Sequence, residues 1–187
     1  MATPPVHAYC STPIGTLLLA ATPDGLSGAW FTEHQRDTPD PRDWPLAQND
    51  PFIDEATVQI TEYFNGLRRD FELLLDLSAG TLFQQAVWRA LLGVKAGTAI
   101  TYSELAVRTG RPDAVRATGS AVGRNPLSII VPCHRILGQG HSLNGYGGGL
   151  PRKVALLAHE GWQCDASPAT ATMRSHVWMA TAGSSKS

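Results

Sequence analysis

Cysteine is scarce in this chain of 187 residues, and the three cysteines, Cys10, Cys133 and Cys164, lie far apart. No CxxC pair occurs, which argues against a zinc ribbon, and the irregular spacing argues against a disulfide framework. We therefore expect a reducing, intracellular (cytoplasmic) location. His7, Cys10 and His34 could supply three metal ligands. We predict instead that they are exposed loop residues and that the chain has no metal site.

Long apolar runs are also absent. The longest, such as 17–21 and 128–131, are far too short to cross a bilayer, so no membrane association is expected. The N-terminus lacks the succession of basic, apolar and small residues that is typical of a signal peptide. The apolar fraction of 43% describes an ordinary globular protein with one large or two small domains.

The net charge is only -1, but the charges are unevenly distributed. Residues 1–84 contain four Lys and Arg against twelve Asp and Glu, which gives this front half a charge of -8. Residues 85–187, the back half, contain eleven Lys and Arg against four Asp and Glu, which gives +7. This split predicts that the back half contacts a polyanion such as nucleic acid.

Residues 1–79 predict a small α/β scaffold domain with an antiparallel sheet and one helix. Glycines and the turn at Pro23-Asp24-Gly25 separate short apolar segments, and apolar residues at helical spacing follow a polar loop. The predicted strands are 7–10, 14–22, 26–31 and 71–77, the loop is 35–51, and the helix is 52–67.

Residues 80–162 predict a second, mainly helical domain, so the fold class is α/β, of the α+β kind. Thr81 and Gln84 form a capping box for a helix that extends to about Leu92. Two short helices separated by Gly110-Arg111-Pro112 form a helix-turn-helix pattern. We predict these helices over 103–108 and 113–123, a last helix opened by Pro151 and closed by Gly161, and a disordered tail over 163–187.

Cysteine and histidine are adjacent in Val131-Pro132-Cys133-His134-Arg135, which we predict to be a strand end leading into a rigid turn. A thiol beside an imidazole is the arrangement that an activated sulfur nucleophile needs, and Arg135 adds positive charge that favours the thiolate. A buried, inert cysteine is the alternative, and these residues alone leave both interpretations open.

Four motifs occur in a fixed order: Asn125-Pro126, Pro132-Cys133-His134-Arg135, Gly145-Tyr146-Gly147-Gly148-Gly149 and His159-Glu160-Gly161. Together they resemble the O6-alkylguanine-DNA alkyltransferases, also called methylated-DNA–protein-cysteine methyltransferases. The resemblance is close over residues 80–162 and loose over the front domain. It implies direct, stoichiometric and irreversible DNA repair, in which the protein takes the alkyl group of O6-alkylguanine, and also of O4-alkylthymine in one version of this hypothesis.

The resemblance implies a role for each site residue. Cys133 accepts the alkyl group, and His134 acts as its base through a water molecule. Glu160 orients and charge-stabilises His134. Asn125 holds the turn that leads to the cysteine, and Tyr102 donates to guanine N3 and assists the leaving group.

The implied recognition of the flipped base uses the residues after the cysteine. Tyr146 walls the alkyl pocket, and the N–H of Gly147, where the family often has serine, faces O6. The carbonyls of Cys133 and Ile136 read the guanine amine, and Lys153 has a structural or oxygen-polarising role.

The implied partner is duplex DNA, bound in the minor groove by the second helix of the pair, whose small residues fit a close approach. Arg116 fills the gap left by the flipped nucleotide. Ala117, Arg124 and Arg135 complete the predicted DNA contacts. We expect a monomer that can cluster on DNA and needs no cofactor.

Three other functions remain open at this point. A cysteine hydrolase needs an oxyanion hole, which the glycine loop, Gly145-Tyr146-Gly147-Gly148-Gly149, could supply. A DNA-binding module related to this family lacks the acceptor cysteine, so Cys133 argues against it. A transcription regulator of the same family carries an extra metal-binding domain, and we expect none in this chain.

Overall fold

The computed structural model describes residues 4–165 and 172–175 and confirms the mixed α/β fold. A three-stranded antiparallel sheet and one helix form the front half, and four helices dominate the back half. Within these described ranges no helix combines the length and the apolar character needed to cross a membrane. The elements are β1 (Val6–Thr12), β2 (Gly15–Thr22), β3 (Gly25–Phe31), α1 (Pro51–Phe64), α2 (Leu82–Leu92), β4 (Ile100–Thr101), α3 (Tyr102–Arg108), α4 (Val115–Gly123), β5 (Ile136–Leu137), α5 (Leu150–His159), β6 (Trp162–Asp165) and β7 (Thr172–Ser175).

Helix α1 packs on the sheet through its buried apolar face and has a defined stop at each end. Asp50 accepts from the backbone N–H groups of Phe52 and Ile53 and so caps the start. Gly66, with φ of 74°, ends the helix, because Leu67 N donates back to the Glu62 carbonyl. The predicted extension of this helix to residue 67 is therefore too long.

The predicted strand over 71–77 is wrong. This segment contributes only an isolated bridge, in which Leu26 N donates to the Leu74 carbonyl and Asp76 N donates to the Leu26 carbonyl. Nearer its start the backbone pairs with a side chain, because Gln59 of α1 both donates to the Glu72 carbonyl and accepts from the Glu72 N–H. A helix side chain thus replaces a neighbouring strand as hydrogen-bonding partner.

The helix-turn-helix prediction is confirmed in α3 and α4, which pack against each other and against α2. Gly110, with φ of 73°, forms the turn, and Arg111 N donates to the Ala106 carbonyl to close α3. The indole N–H of Trp88 on α2 donates to the Ala121 carbonyl at 2.9 Å and holds α4 in place. The capping box of Thr81 that begins α2 is also confirmed.

The end of the chain has more structure than the sequence predicts. Pro151 lies in the first turn of α5, and Gly161, with φ of 94°, follows its end as expected. The predicted disordered tail over 163–187 is wrong for 163–165 and 172–175, because β6 pairs with β7 in an antiparallel ladder from Trp162 to Ser175. The remaining tail residues lie outside the described part of the chain.

One hydrophobic core runs through both halves, and the sheet is joined directly to the segment before Cys133. Ala29 N on β3 donates to the Pro126 carbonyl at 2.9 Å, and Ser128 N donates to the Ala29 carbonyl at 2.8 Å. Residues 128–130 form turns and Val131 lies in a bend, so the predicted strand end at Val131 is wrong. This segment bends back on itself, because Val131 N donates to the Leu127 carbonyl at 2.9 Å.

Candidate active site around Cys133

Cys133 opens a single 3₁₀ turn, Cys133–Arg135, at the base of a cleft of about 410 Å³. Its side chain is almost buried, with 8% of the residue exposed. Residues from both halves of the molecule line the cleft, among them His34, Arg36, Tyr102, Cys133, Tyr146 and Gly147. The sulfur is therefore largely shielded from solvent but lies within reach of a small group bound in the cleft.

Asn125 holds the turn that presents the thiol. Its Nδ2 donates to the Val131 carbonyl at 2.8 Å and to Sγ of Cys133 at 3.1 Å, and its Oδ1 accepts from Leu127 N at 3.0 Å. The bend forces Ile129 to a φ of 72°, which is rare for a β-branched residue. Backbone strain of this kind persists only where surrounding contacts impose it, as the side chain of Asn125 does here.

The electrostatics of the thiol combine opposing effects. Burial raises the pKa of Cys133, whereas the hydrogen bond from Asn125 and the charge of Lys153 lower it. Desolvation makes a thiolate strongly nucleophilic once it forms, but it also means that a base must take the proton.

His134 and Glu160 form a buried pair beside the thiol. Nε2 of His134 donates to Oε1 of Glu160 at 2.9 Å, because a carboxylate can only accept. The other ring nitrogen, Nδ1, is buried without a hydrogen-bond partner among the described residues. Burial lowers the pKa of His134, and the carboxylate of Glu160 partly restores it. The neutral ring therefore carries its lone pair on Nδ1, which can accept a proton.

The side chain of Arg135 points into the core and not to the surface. Only 2% of the residue is exposed, and its guanidinium binds both carboxylate oxygens of Glu160 and the carbonyls of Val94 and Arg69. The prediction that it binds DNA is wrong, because its hydrogen-bonding capacity is used inside the core. The carboxylate stays ionised, since its hydrogen bonds hold the pKa of Glu160 far below its usual range despite burial.

Lys153 is also buried, and its Nζ donates to the carbonyls of Ile136 at 2.6 Å and Asn144 at 3.2 Å. Burial lowers its pKa to about 8. These contacts support the structural version of its predicted role, because Nζ joins the strand after Cys133 to the residue directly before the glycine loop. The Ile136 carbonyl predicted to read guanine already accepts this bond, so only its second lone pair remains for a substrate.

The predicted pocket residues Tyr102, Tyr146 and Gly147 line the same cleft. Tyr102 begins α3 and stands over Gly119 of α4, while Tyr146 and Gly147 reach the cleft from the glycine loop. Burial raises the pKa of both tyrosines, so their hydroxyls keep the proton and can donate. Gly148 allows close packing, since a Cβ there would lie 2.9 Å from the ring of Phe31.

Arg116 and Ala117 are exposed on the first turn of α4, outside the cleft lining. Arg116 makes no hydrogen bond or ion pair with any residue that the structure describes. Arg124, at the end of α4, lines an adjoining pocket of about 440 Å³ that shares Cys133 and Tyr146 with the cleft. These positions are compatible with DNA contacts flanking the cleft.

Two contributions from the front half were missed by sequence reasoning. The loop after β3 lines the cleft through His34 and Arg36, and Gln35 accepts from the Ser128 hydroxyl at 3.1 Å. The hydroxyl of Tyr63 donates to Oε1 of Glu160 at 2.9 Å. The motifs lie in the back half, and nothing in the sequence indicates which front-half residues face them.

The expected loop position of His7 and Cys10 is wrong. Both lie on β1 and are buried, and Nδ1 of His7 bonds with the Pro45 carbonyl at 3.1 Å. His34 is an exposed loop residue, as predicted, and it lines the cleft. Across the described ranges, no group of three or more His, Cys, Asp and Glu side chains could hold a metal ion.

Comparison with known families agrees with this site. Residues 82–162 match the family described as 6-O-methylguanine DNA methyltransferase, DNA binding domain, and residues 6–77 match its ribonuclease-like domain. The chain belongs to the 6-O-methylguanine DNA methyltransferase family. Both halves of this family are therefore present, including the front half, where the sequence resemblance was loose.

Individual relatives cover most of the chain. The methylated-DNA–protein-cysteine methyltransferase of Haemophilus influenzae is 41% identical over 82% of this chain and 85% of its own length. That of Mycobacterium leprae is 45% identical over 80% and 88%. The crystal structure of Mycobacterium tuberculosis OGT in complex with DNA superposes with a TM-score of 0.76 at 41% identity, over 82% of this chain and 92% of that one.

Proposed function

We propose that this protein is a methylated-DNA–protein-cysteine methyltransferase that removes the alkyl group from O6-alkylguanine in DNA. The observation that carries this proposal is the cleft-bound thiol of Cys133 beside the His134–Glu160 pair, in a chain of this family. The group is transferred to the protein itself, so each molecule acts once.

The chemistry is a displacement at the alkyl carbon. Nδ1 of His134 takes the thiol proton through a water molecule, and the sulfur forms a bond to the alkyl carbon. The carbon–O6 bond breaks, its electron pair goes to the guanine, and the base gains one proton to become guanine. Tyr102 and the N–H of Gly147 donate to the base as charge develops on it. The product is S-alkylcysteine, which has no route back to a thiol.

Access to the thiol requires the damaged nucleotide to leave the duplex. The O6 atom of a stacked base cannot reach a sulfur at the base of a cleft, and extrusion costs a few kcal/mol, least for a poorly paired base. Arg116 fills the gap that the extruded nucleotide leaves in the base stack, and α4 binds in the minor groove. The charge of +7 on the back half suits phosphate contacts, whose contribution falls as salt rises.

The remaining parts of the proposal concern context. We expect the protein to act as a monomer and to cluster on DNA, and we include O4-alkylthymine as a second substrate. A reducing, intracellular compartment is part of the proposal because Cys10, Cys133 and Cys164 are all free thiols and a disulfide would consume the acceptor.

Intact mass after incubation with duplex DNA containing O6-methylguanine tests the proposal. The wild-type protein gains one methyl group, Cys133→Ser gains none, and Cys164→Ser keeps the gain because that thiol lies outside the cleft. A wild-type protein that stays unmodified refutes alkyl transfer. A cysteine hydrolase would instead turn over an activated ester many times without a lasting change in mass.

A further inference from the structure

The hydroxyl of Tyr63 reaches the relay from the other half of the molecule. Tyr63 lies near the end of α1, is 1% exposed and donates to Oε1 of Glu160 at 2.9 Å, although 97 positions separate the two residues. Burial and the neighbouring carboxylate raise the pKa of Tyr63 well above its usual range. The hydroxyl therefore keeps its proton and acts as a fixed donor.

The oxygen that Tyr63 contacts is the one that faces His134. Oε1 accepts from Nε2 of His134 at 2.9 Å and from Nη2 of Arg135 at 2.8 Å. The guanidinium of Arg135 also reaches the second oxygen, Oε2, through its Nε at 3.0 Å. Arg135 thus binds the carboxylate across both oxygens, whereas Tyr63 and His134 bind only Oε1.

A second hydrogen bond joins the end of α1 to the end of α5, and here the donor belongs to α5. Nε2 of His159 donates to the backbone carbonyl of Tyr63 at 2.7 Å, and their rings lie 4.8 Å apart between centroids. His159 is the last residue of α5 and directly precedes Glu160. The end of α1 therefore holds the backbone before Glu160 as well as its side chain.

We propose that Tyr63 is a positioning residue that keeps Oε1 of Glu160 against His134, so that the front half sets the reactivity of Cys133. Without the hydroxyl, the multiple bonds of Arg135 dominate the orientation of the carboxylate. The imidazole then loses part of the support that lets Nδ1 take the thiol proton. The inference rests on the proposed function only where it concerns DNA repair. The contacts of Tyr63 and Glu160 should affect the reaction of the Cys133 thiol with any alkylating agent.

The variant Tyr63→Phe removes one oxygen atom and keeps the ring in the core. We expect its alkylation by iodoacetamide and by free O6-benzylguanine to slow by about 10-fold, the scale of one hydrogen bond to a charged group. The alkylation rate rises with pH as the Cys133 thiol ionises. A weaker His134 takes less of the thiol proton, so this ionisation, and with it the rise of the rate, should move to higher pH. Ile60→Val, on the buried face of the same helix, controls for loss of stability and should alter neither quantity.

Three outcomes overturn the inference. The first is an unchanged rate and pH profile in Tyr63→Phe, and the second is the same change in Ile60→Val. The third is a shift to lower pH, because this would mean that the hydroxyl only withdraws charge from the carboxylate. His159→Gln, which removes the ring that holds the Tyr63 carbonyl, should shift the profile in the same direction by less, and it provides the test if Tyr63→Phe does not fold.

The background Glu160→Gln separates positioning from general damage. With the carboxylate gone, Tyr63→Phe should cause no further loss of rate, so a full additional loss contradicts the proposed coupling. Iodoacetamide needs no DNA substrate, so these measurements remain valid even if the wild-type protein takes no methyl group from O6-methylguanine. Failure of the proposed function and failure of this inference are therefore distinguishable.

Discussion

At the scale of single residues, the reactivity of Cys133 depends on what donates to its sulfur. The thiol is buried, so its charged form is disfavoured unless nearby donors and charges compensate. Asn125 is the side chain that bonds to Sγ and also holds the turn, through Val131 and Leu127. One amide thus links the shape of the turn to the acidity of the thiol.

Asn125→Asp keeps the shape of this side chain but replaces its donor with a carboxylate next to the sulfur. We expect the reaction with free O6-benzylguanine to slow by about 10- to 100-fold, since a hydrogen bond to a charged group is worth about 1.5–3 kcal/mol. The pH at which the thiol ionises should also rise. Asn65→Asp adds the same charge at the exposed end of α1 and should react like the wild type. Equal rates in the two variants would exclude this role for Asn125.

Sequence order identified the reacting residues but not the direction in which their neighbours point. The motifs correctly predicted that Cys133, His134 and Glu160 lie together. Cys133 and His134 are neighbours on one turn, and Glu160 directly follows the last residue of α5. Arg135 belongs to the same motif, yet it points inward to Glu160, which only the three-dimensional packing reveals. Tyr63 carries no local pattern that distinguishes it from an ordinary core tyrosine.

At the scale of elements, sequence patterns predicted a helix or strand correctly where its backbone groups bond to nearby residues. They failed where a residue distant in sequence provides the hydrogen bond. Thr81 and Gln84 complete a capping box within one turn, so α2 could be predicted. Segment 71–77 has the apolar content of a strand, but it forms only one bridge to β3, and near its start the side chain of Gln59 takes the place of a strand. The apolar residues before Pro132 form turns because Asn125 binds the Val131 carbonyl.

Arg116 lies on α4 outside the cleft, so its substitution should affect a duplex DNA substrate but not a free base. Arg116→Ala should slow the repair of O6-methylguanine in duplex DNA but leave the reaction with free O6-benzylguanine nearly unchanged, because only the duplex substrate needs extrusion. The measurement is the rate of each protein on both substrates, compared as the ratio of the loss on duplex DNA to the loss on free O6-benzylguanine. Arg42→Ala, an exposed arginine of the acidic front half, serves as control. Equal losses on both substrates would rule out a role in extrusion.

At the scale of the whole molecule, the two halves differ in charge but share their interior. The split of -8 and +7 predicted which half meets DNA, yet the sequence divided the chain into two domains near residue 80. The structure has one core across that boundary, with Tyr63 bonded to Glu160 and β3 bonded to the segment before Cys133. Contacts between positions so distant in sequence leave no local pattern, so the dependence of the site on the front half could not be predicted.

Breaking the buried pair of Glu160 and Arg135 should therefore destabilise the whole molecule. Glu160→Gln leaves the buried guanidinium with only the partly exposed carboxylate of Asp70, 3.6 Å away, as a charged partner. We expect urea unfolding to report a loss of about 3–5 kcal/mol in a single transition. The lowered pKa of Glu160 adds a pH dependence. Its contribution is complete above the pKa of an unfolded glutamate, about 4.3, and is lost as pH falls further, because the unfolded chain then binds the proton first. The free energy of unfolding should fall less steeply below that pH in Glu160→Gln than in the wild type, and parallel slopes would contradict this account.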